Sequence, residues 1–329
     1  MTTRYRRWLL RAAAAQGTMD PTSGPGRGQR RRTGENEQMT QSRRTWIWVA
    51  AVALVAIVGT AVWLGLRGPA ETADAAPSAS PSPSASPTPV KATPQAAGYS
   101  LAALPTPDID GLLPAQLPHT TLDSLEDLPG AVAEPRKGKV PVWAEPDTTV
   151  PPVLALEADY YDADARWLVL ERETDWVKVL IPYGRGALPS DDPDKVNGVS
   201  GWLRASDVVE EREQRSVVVD LSDRTVTLTH ADGTQDELPA AVGAAETPTP
   251  LGLTQVFTVT EAVNTGMSVF LSMQSESLDG FYGTDYAATA LHVGEGQGQA
   301  VSNGCVRLTS ADFEHLTDLE PGVPVLIKA

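Results

Sequence analysis

SVVVDLSDRTVTLTHADGTQDELPAAVG, residues 216–243, is the stretch from which the fold of the C-terminal part is read. Apolar positions alternate with polar ones through Val217, Val219, Val226 and Leu228, the period of a half-buried strand, and β-branched residues dominate. Asp232-Gly233 is a two-residue hairpin signal, so the stretch predicts two antiparallel strands. Beyond the proline-rich loop ETPTPLG, the runs LTQVFTVTEAV and MSVFLSM read as further strands, and VPVLIKA (323–329) returns as another. Only DFEHLTDL reads as a helix, with Thr309 and Asp312 as a capping pair before it and Pro321-Gly322 as its stop. Residues 214–329 are therefore expected to be mainly β with one short helix.

Upstream, KVPVWAEPD, RWLVLERETDWVKVLIPYG and GVSGWLRASDVV are short Val- and Trp-rich runs separated by turns at Pro146-Asp147, Glu173–Asp175 and Gly184. They predict a small β-barrel over 137–210. The runs around Trp167, Trp176 and Gly201-Trp202 resemble bacterial SH3-like domains. Trp143, Trp167, Trp176 and Trp202 are read as barrel packing, with a ligand platform as the alternative. Residues 67–136 are read as a disordered or Pro-rich linker. ETADAAPSASPSPSASPTPVKATPQAAG has almost no large apolar side chain, and Pro105, Pro107, Pro114, Pro118 and Pro129 interrupt the Leu-richer run from Tyr99 to Glu134.

TWIWVAAVALVAIVGTAVWLGL, residues 45–66, runs 22 residues without a charge, enough for one transmembrane helix across a hydrocarbon core of about 30 Å. Trp46, Trp48 and Trp63 lie near its ends. Residues 1–44 hold ten arginines against three acids, a charge of +7, which places this basic arm in the cytoplasm and the rest of the chain outside. A signal peptide cleaved near Ala73-Asp74-Ala75 is the alternative, and Met39 is a possible second start. With the total at −16, the remainder carries −23, a charge that repels polyanions and argues against nucleic acid as a partner.

One cysteine in 329 residues excludes an intrachain disulfide, and a solitary thiol outside the cytoplasm needs a reason. Cys305 lies in ALHVGEGQGQAVSNGCVRLTSADF, residues 290–313. Gly294, Gly296, Gly298 and Ala300 lie between it and His292, a connection free to fold back and bring imidazole to thiol. A thiol beside an imidazole becomes a nucleophile, its thiolate held by imidazolium or made by His acting as base, and Gly304 allows backbone N–H groups to approach a carbonyl. Chemistry alone leaves the bland reading open, a small buried cysteine and an unrelated histidine. His119, His230 and His315 lie outside this stretch, and no spacing resembles a metal site, so neither metal nor other cofactor is expected.

Ser302-Asn303-Gly304-Cys305-Val306-Arg307-Leu308, preceded by Leu291-His292 and followed by Asp312 and Gly322–Val325, resembles the active-site signature of L,D-transpeptidases. VDLSDRTVTL and the Thr247–Gly252 loop match the same domain, and the resemblance covers 214–329. It implies that Cys305 is the nucleophile and His292 its base, with the Val293 carbonyl orienting the imidazole. Ser302, Asn303, Gly304 and Arg307 would form the substrate or oxyanion site, Arg307 pairing with a carboxylate or else serving in a structural salt bridge. The implied partners are peptidoglycan stem peptides as donor and acceptor, joined in 3→3 cross-links through a thioester, and carbapenem β-lactams as covalent inhibitors. Hydrolysis of stems as an L,D-carboxypeptidase, and non-catalytic wall binding, are the alternatives. Asn303 stands where the family often has His, Val293 where it has a small residue, and the His292–Cys305 spacing is a few residues short.

Overall fold

Two sheets organise the described residues, 95–121, 123–160 and 163–329 of a computed structural model. The basic arm, the apolar run 45–66 and the tract up to residue 94 lie outside the described residues. Among the described residues no helix is long and apolar enough to cross a membrane.

The N-terminal module comprises β1 (Ala131–Pro135), β2 (Val140–Val142), β3 (Leu154–Leu156), β4 (Asp159–Tyr160), β5 (Ala163–Asp164), β6 (Trp167–Arg172), β7 (Trp176–Leu180), β8 (Ser200–Arg204) and β9 (Val208–Arg212). Its main sheet is antiparallel in the order β8-β7-β6-β1-β9, with β2-β3 and β4-β5 as separate pairs. All four tryptophans of the sequence reading are buried here, and Trp143 meets Trp176 edge-on at 5.2 Å, so they pack the module and offer no ligand platform.

The second sheet uses β10 (Ser216–Asp220), β11 (Thr225–Thr229), β12 (Gln235–Pro239), β14 (Gly252–Ala262), β15 (Gly266–Gln274), β16 (Ala288–Val293), β18 (Val306–Leu308) and β19 (Pro324–Lys328). The two-stranded pair β13 (Val242–Gly243) and β17 (Ala300–Ser302) lies outside it, and α1 (Ser310–Glu314) is the one α-helix described. The strand order is β12-β11-β10-β19-β14-β15-β16-β18, with β10–β19 and β16–β18 parallel. Val217, Val219, Val226 and Leu228 are buried as the alternation required, and Thr309 caps α1 by accepting the Asp312 amide.

Two sequence expectations need correction. Residues 216–243 hold three strands of this sheet's edge rather than two, because the Asp220 carboxylate accepts the Asp223 amide (2.9 Å) and the Ser222 hydroxyl (2.8 Å), closing a turn with Arg224 at φ 58°. At the Asp232-Gly233 hairpin the His230 amide donates to the Thr234 carbonyl across a three-residue loop, and Gly233 takes φ 84°. The linker reading also fails for its described part. β1 sits inside the five-stranded sheet, and Ile109, Leu113 and Leu117 are buried. Prolines prevent long helices there, leaving one 3-10 turn at Leu101–Ala103, but not an extended strap whose backbone groups are met elsewhere, as by Leu113 N–H to Arg185 O and Ser200 N–H to Pro118 O.

The two modules share one core. Phe257, Phe270 and Ala290 of the second sheet cluster with Tyr160, Tyr183 and Leu117 of the first module, and Tyr183 and Phe257 ring centroids lie 6.2 Å apart. Buried Gln255 of β14 crosses between them, accepting Leu168 N–H at 2.6 Å and donating to Leu180 O at 3.1 Å. Arg166 adds ion pairs to Glu134 and Glu320. A barrel separable from the catalytic part is not what this arrangement provides.

Candidate active site

Strand β18 begins directly after Cys305 and lies parallel to β16 in the register Leu291↔Val306 and His292↔Arg307. That pairing, which folds the glycine-rich connection back on itself, puts Cys305 and His292 on the wall of one cavity of about 710 Å³. Phe270, Asn303, Gly304, Arg307 and residues of the segment 281–290, the end of a loop and the start of β16, complete much of the wall.

The turn that presents the thiol is built by Ser302. Its hydroxyl, in a buried side chain, accepts the Gly304 amide at 3.2 Å and donates to the Cys305 carbonyl at 2.5 Å. Gly304 takes φ 109°, a left-handed value that an L side chain resists although a Cβ there would meet nothing closer than 3.6 Å. The Thr247–Gly252 loop braces the turn from behind: Thr247 donates its hydroxyl to Ser302 O at 3.1 Å, and Thr249 accepts Gly243 N–H at 2.9 Å. Ser302 is thus a turn builder rather than a substrate contact. The Gly304 amide, already donated, is not a free oxyanion donor, whereas none of the described residues accepts from the Cys305 amide.

His292 is buried, and its Nδ1 lies 2.8 Å from the Val293 carbonyl. A carbonyl can only accept, so Nδ1 carries the proton and Nε2 keeps the lone pair of a base. Burial pushes the imidazole below its ordinary value, the Val293 contact opposes this, and the Arg307 charge adds to it. Burial likewise lifts the Cys305 thiol, against the Ala290 amide and Arg307, which favour thiolate. Both shifts point toward the neutral forms, thiol and imidazole, and so toward His292 acting as base rather than as a resting imidazolium.

Arg307 lines the cavity, its stem covering Gly294, and among the described residues it makes no ion pair. Asn303 is exposed beside it, with no side-chain hydrogen bond among the described residues. No group of His, Cys, Asp and Glu suited to a metal occurs among the described residues.

Residues 214–327 match the YkuD L,D-transpeptidase catalytic domain. The match covers the eight-stranded sheet up to Ile327, includes His292 and Cys305, and stops short of the N-terminal module. Among solved structures, L,D-transpeptidase 3 from Mycobacterium tuberculosis is 16% identical, over 47% of this chain and 92% of that chain, with a TM-score of 0.32. A structure of that enzyme with a faropenem-derived adduct gives 17%, 47%, 92% and 0.31. The Enterococcus faecium L,D-transpeptidase catalytic domain acylated by ertapenem gives 18%, 36%, 99% and 0.28. No curated protein matches.

Part of the cavity wall is not visible in the sequence. The stretch between β15 and β16 supplies Ser275, Phe281, Tyr282, Thr284 and Tyr286 to the cavity wall. Its signal in sequence is slight: two adjacent aromatics between Gly280 and Gly283.

Proposed function

We propose that this protein is a peptidoglycan L,D-transpeptidase that forms 3→3 cross-links through a Cys305 thioester. The observation that carries the reading is the His292 tautomer, Nδ1 on the Val293 carbonyl with Nε2 left basic, on the cavity that also holds the only cysteine. The YkuD match over the same residues supplies the reaction class.

In the proposed reaction, Cys305 Sγ attacks the carbonyl between the third stem residue and D-alanine at position four, as His292 Nε2 takes the thiol proton. The Cys305 amide faces the developing oxyanion. The C–N bond breaks, the proton passes from His292 to the departing amine, and D-alanine leaves a thioester on Sγ. The side-chain amine of a second stem then attacks that carbonyl. It gives a proton to His292, which returns it to the sulfur as the C–S bond breaks and the cross-link closes. Arg307, which lines the cavity and makes no ion pair among the described residues, pairs with a stem carboxylate.

The N-terminal module is read as SH3-like, and residues 45–66 as the membrane anchor that keeps residues 67–329 outside and the arm 1–44 in the cytoplasm. An impermeant thiol label should then reach a cysteine engineered at Ser84 in intact cells; protection there would remove the topology. Incubation with disaccharide tetrapeptide and mass analysis tests the chemistry. Cross-linked dimer is expected, tripeptide alone would identify an L,D-carboxypeptidase, and unchanged substrate would leave wall binding without turnover.

A further inference from the structure

The loop between β15 and β16, which supplies the aromatic wall of the cavity, is fastened chiefly to the other module. At its neck, Asn197 donates to the Gln274 carbonyl at 2.8 Å and accepts the Gln274 amide at 2.8 Å. The Gln274 side chain in turn donates to Ile109 O at 2.9 Å and accepts Ala287 N–H at 3.2 Å. Further out, the guanidinium of Arg185 spans the loop. Nη1 donates to the Asp279 carbonyl at 2.8 Å and Nη2 to the Asp285 carbonyl at 2.6 Å, so one rigid fork ties both ends of the segment 279–285. Ser190 N–H adds a bond to the Asp279 carboxylate at 2.9 Å.

Arg185 is an unusual place to spend a cation. It is 2% exposed, its partners are carbonyls rather than carboxylates, and its Nε is buried without a partner among the described residues. Its own backbone is fixed, donating to Gly111 O and accepting from Leu113 N–H, so the fork has a firm base. What it restrains is strained and outward-facing. Tyr282 takes φ 51°, rare for a bulky residue, and is 64% exposed on the cavity wall, its ring 4.3 Å from that of Phe281. A strained exposed aromatic kept in place by a buried cation belongs to a binding surface more readily than to a fold.

We propose that Arg185, outside the YkuD-matched domain, is a positioning residue of the active site: it clamps the segment 279–285 so that Tyr282 and Phe281 form a wall against which the acyl-donor chain is bound. The N-terminal module is by this inference part of the donor site. The donor's class rests on the acyl-transfer reading above; the clamp does not.

The full-length chain is compared with Arg185→Ala, Arg185→Lys and Tyr282→Ala by three readouts. Hydrogen exchange of amides 279–286 should quicken at least about tenfold in Arg185→Ala, the loss of a bond to a charged donor, while β14 and β19 amides keep their protection. KM for disaccharide tetrapeptide should rise by about tenfold, with kcat and Cys305 alkylation by iodoacetamide both within about twofold. Arg185→Lys keeps the charge but not the fork and should fall between. Tyr282→Ala, an exposed change that need not disturb folding, should raise KM without altering exchange. Unchanged exchange in both Arg185 variants overturns the clamp, and unchanged KM in Tyr282→Ala overturns the wall. A uniform fall of kcat, alkylation and core protection would reduce Arg185 to a structural residue. If wild type fails to turn over the tetrapeptide, the acyl-transfer reading fails, while exchange still decides the clamp.

Discussion

The neutral state of the Cys305–His292 pair can be tested by pH alone. Burial holds the thiol above its ordinary 9.0 and the imidazole below 6.5. At pH 7 the thiolate fraction is then under about 1%, and at pH 6 under about 0.1%. Alkylation by iodoacetamide, which reads thiolate, should climb about tenfold per pH unit from pH 6 to pH 9. A thiolate–imidazolium pair would instead give a flat rate over that range, about 10³-fold higher at pH 6 than the neutral pair allows. Acylation by a carbapenem reads a different species, neutral thiol with neutral His292, and should be level from pH 7 to 8.5. It should decline only as acid protonates His292, with a midpoint below 6.5. Stopped-flow alkylation and intact-mass acylation on one preparation give both curves. A pH-independent alkylation rate between pH 5 and 8 would refute the argument, since no neutral thiol behaves so.

Carbapenem acylation should vanish in Cys305→Ala, slow about 10²- to 10⁴-fold in His292→Ala, and slow less than about tenfold in Asn303→Ala, by intact-protein mass against time. Gly304→Ala must hold an L residue at φ 109°, costing about 1–3 kcal/mol, and should slow acylation while circular dichroism stays native. Gln255→Leu strands Leu168 N–H and Leu180 O in the shared core, a loss of about 2–6 kcal/mol in urea unfolding if both stay unpaired. Burial alone would raise Glu213, but hydrogen bonds from Arg215 and the charges of Arg215 and Arg166 hold it below 4.5. Its folded value being the lower, it stabilises above pH 4.5 and that contribution fades as pH falls through the folded value, so Glu213→Gln should flatten stability between pH 5 and 3.

Sequence separation decides which features could be read in advance. The strand alternation of residues 216–229, the cap at Thr309 and the placing of His292 and Cys305 on one cavity wall are each written within a few or a dozen residues, where period and turn chemistry are readable. The Val293 carbonyl was foreseeable because it adjoins the ring it orients. Ser302 was misassigned because its motif position does not say whether the hydroxyl faces substrate or its own turn. The strap before β1 was misread because proline reports only what the backbone cannot do. Arg185, Asn197 and Ile109 could not be found at all. Arg185 bonds to groups 94 and 100 positions away, Asn197 to one 77 away and Ile109 to one 165 away, and no local period encodes such a contact.

A neutral resting pair also changes where catalysis must come from. A pre-formed thiolate reacts with any electrophile that reaches it, oxidants included, whereas a thiol raised by burial is inert until a base removes its proton in the same step that the carbonyl is attacked. In the proposed reaction the barrier is then lowered by holding the carbonyl against Sγ and by donating to its oxygen, effects that exist only with the acyl donor seated. Selectivity is the consequence, because a small electrophile gains neither. The wall tied into the second module acts earlier, on binding: the Arg185 fork and the shared packing of Phe257, Phe270 and Tyr183 hold the surface on which the donor seats, so their loss is read in KM rather than in kcat.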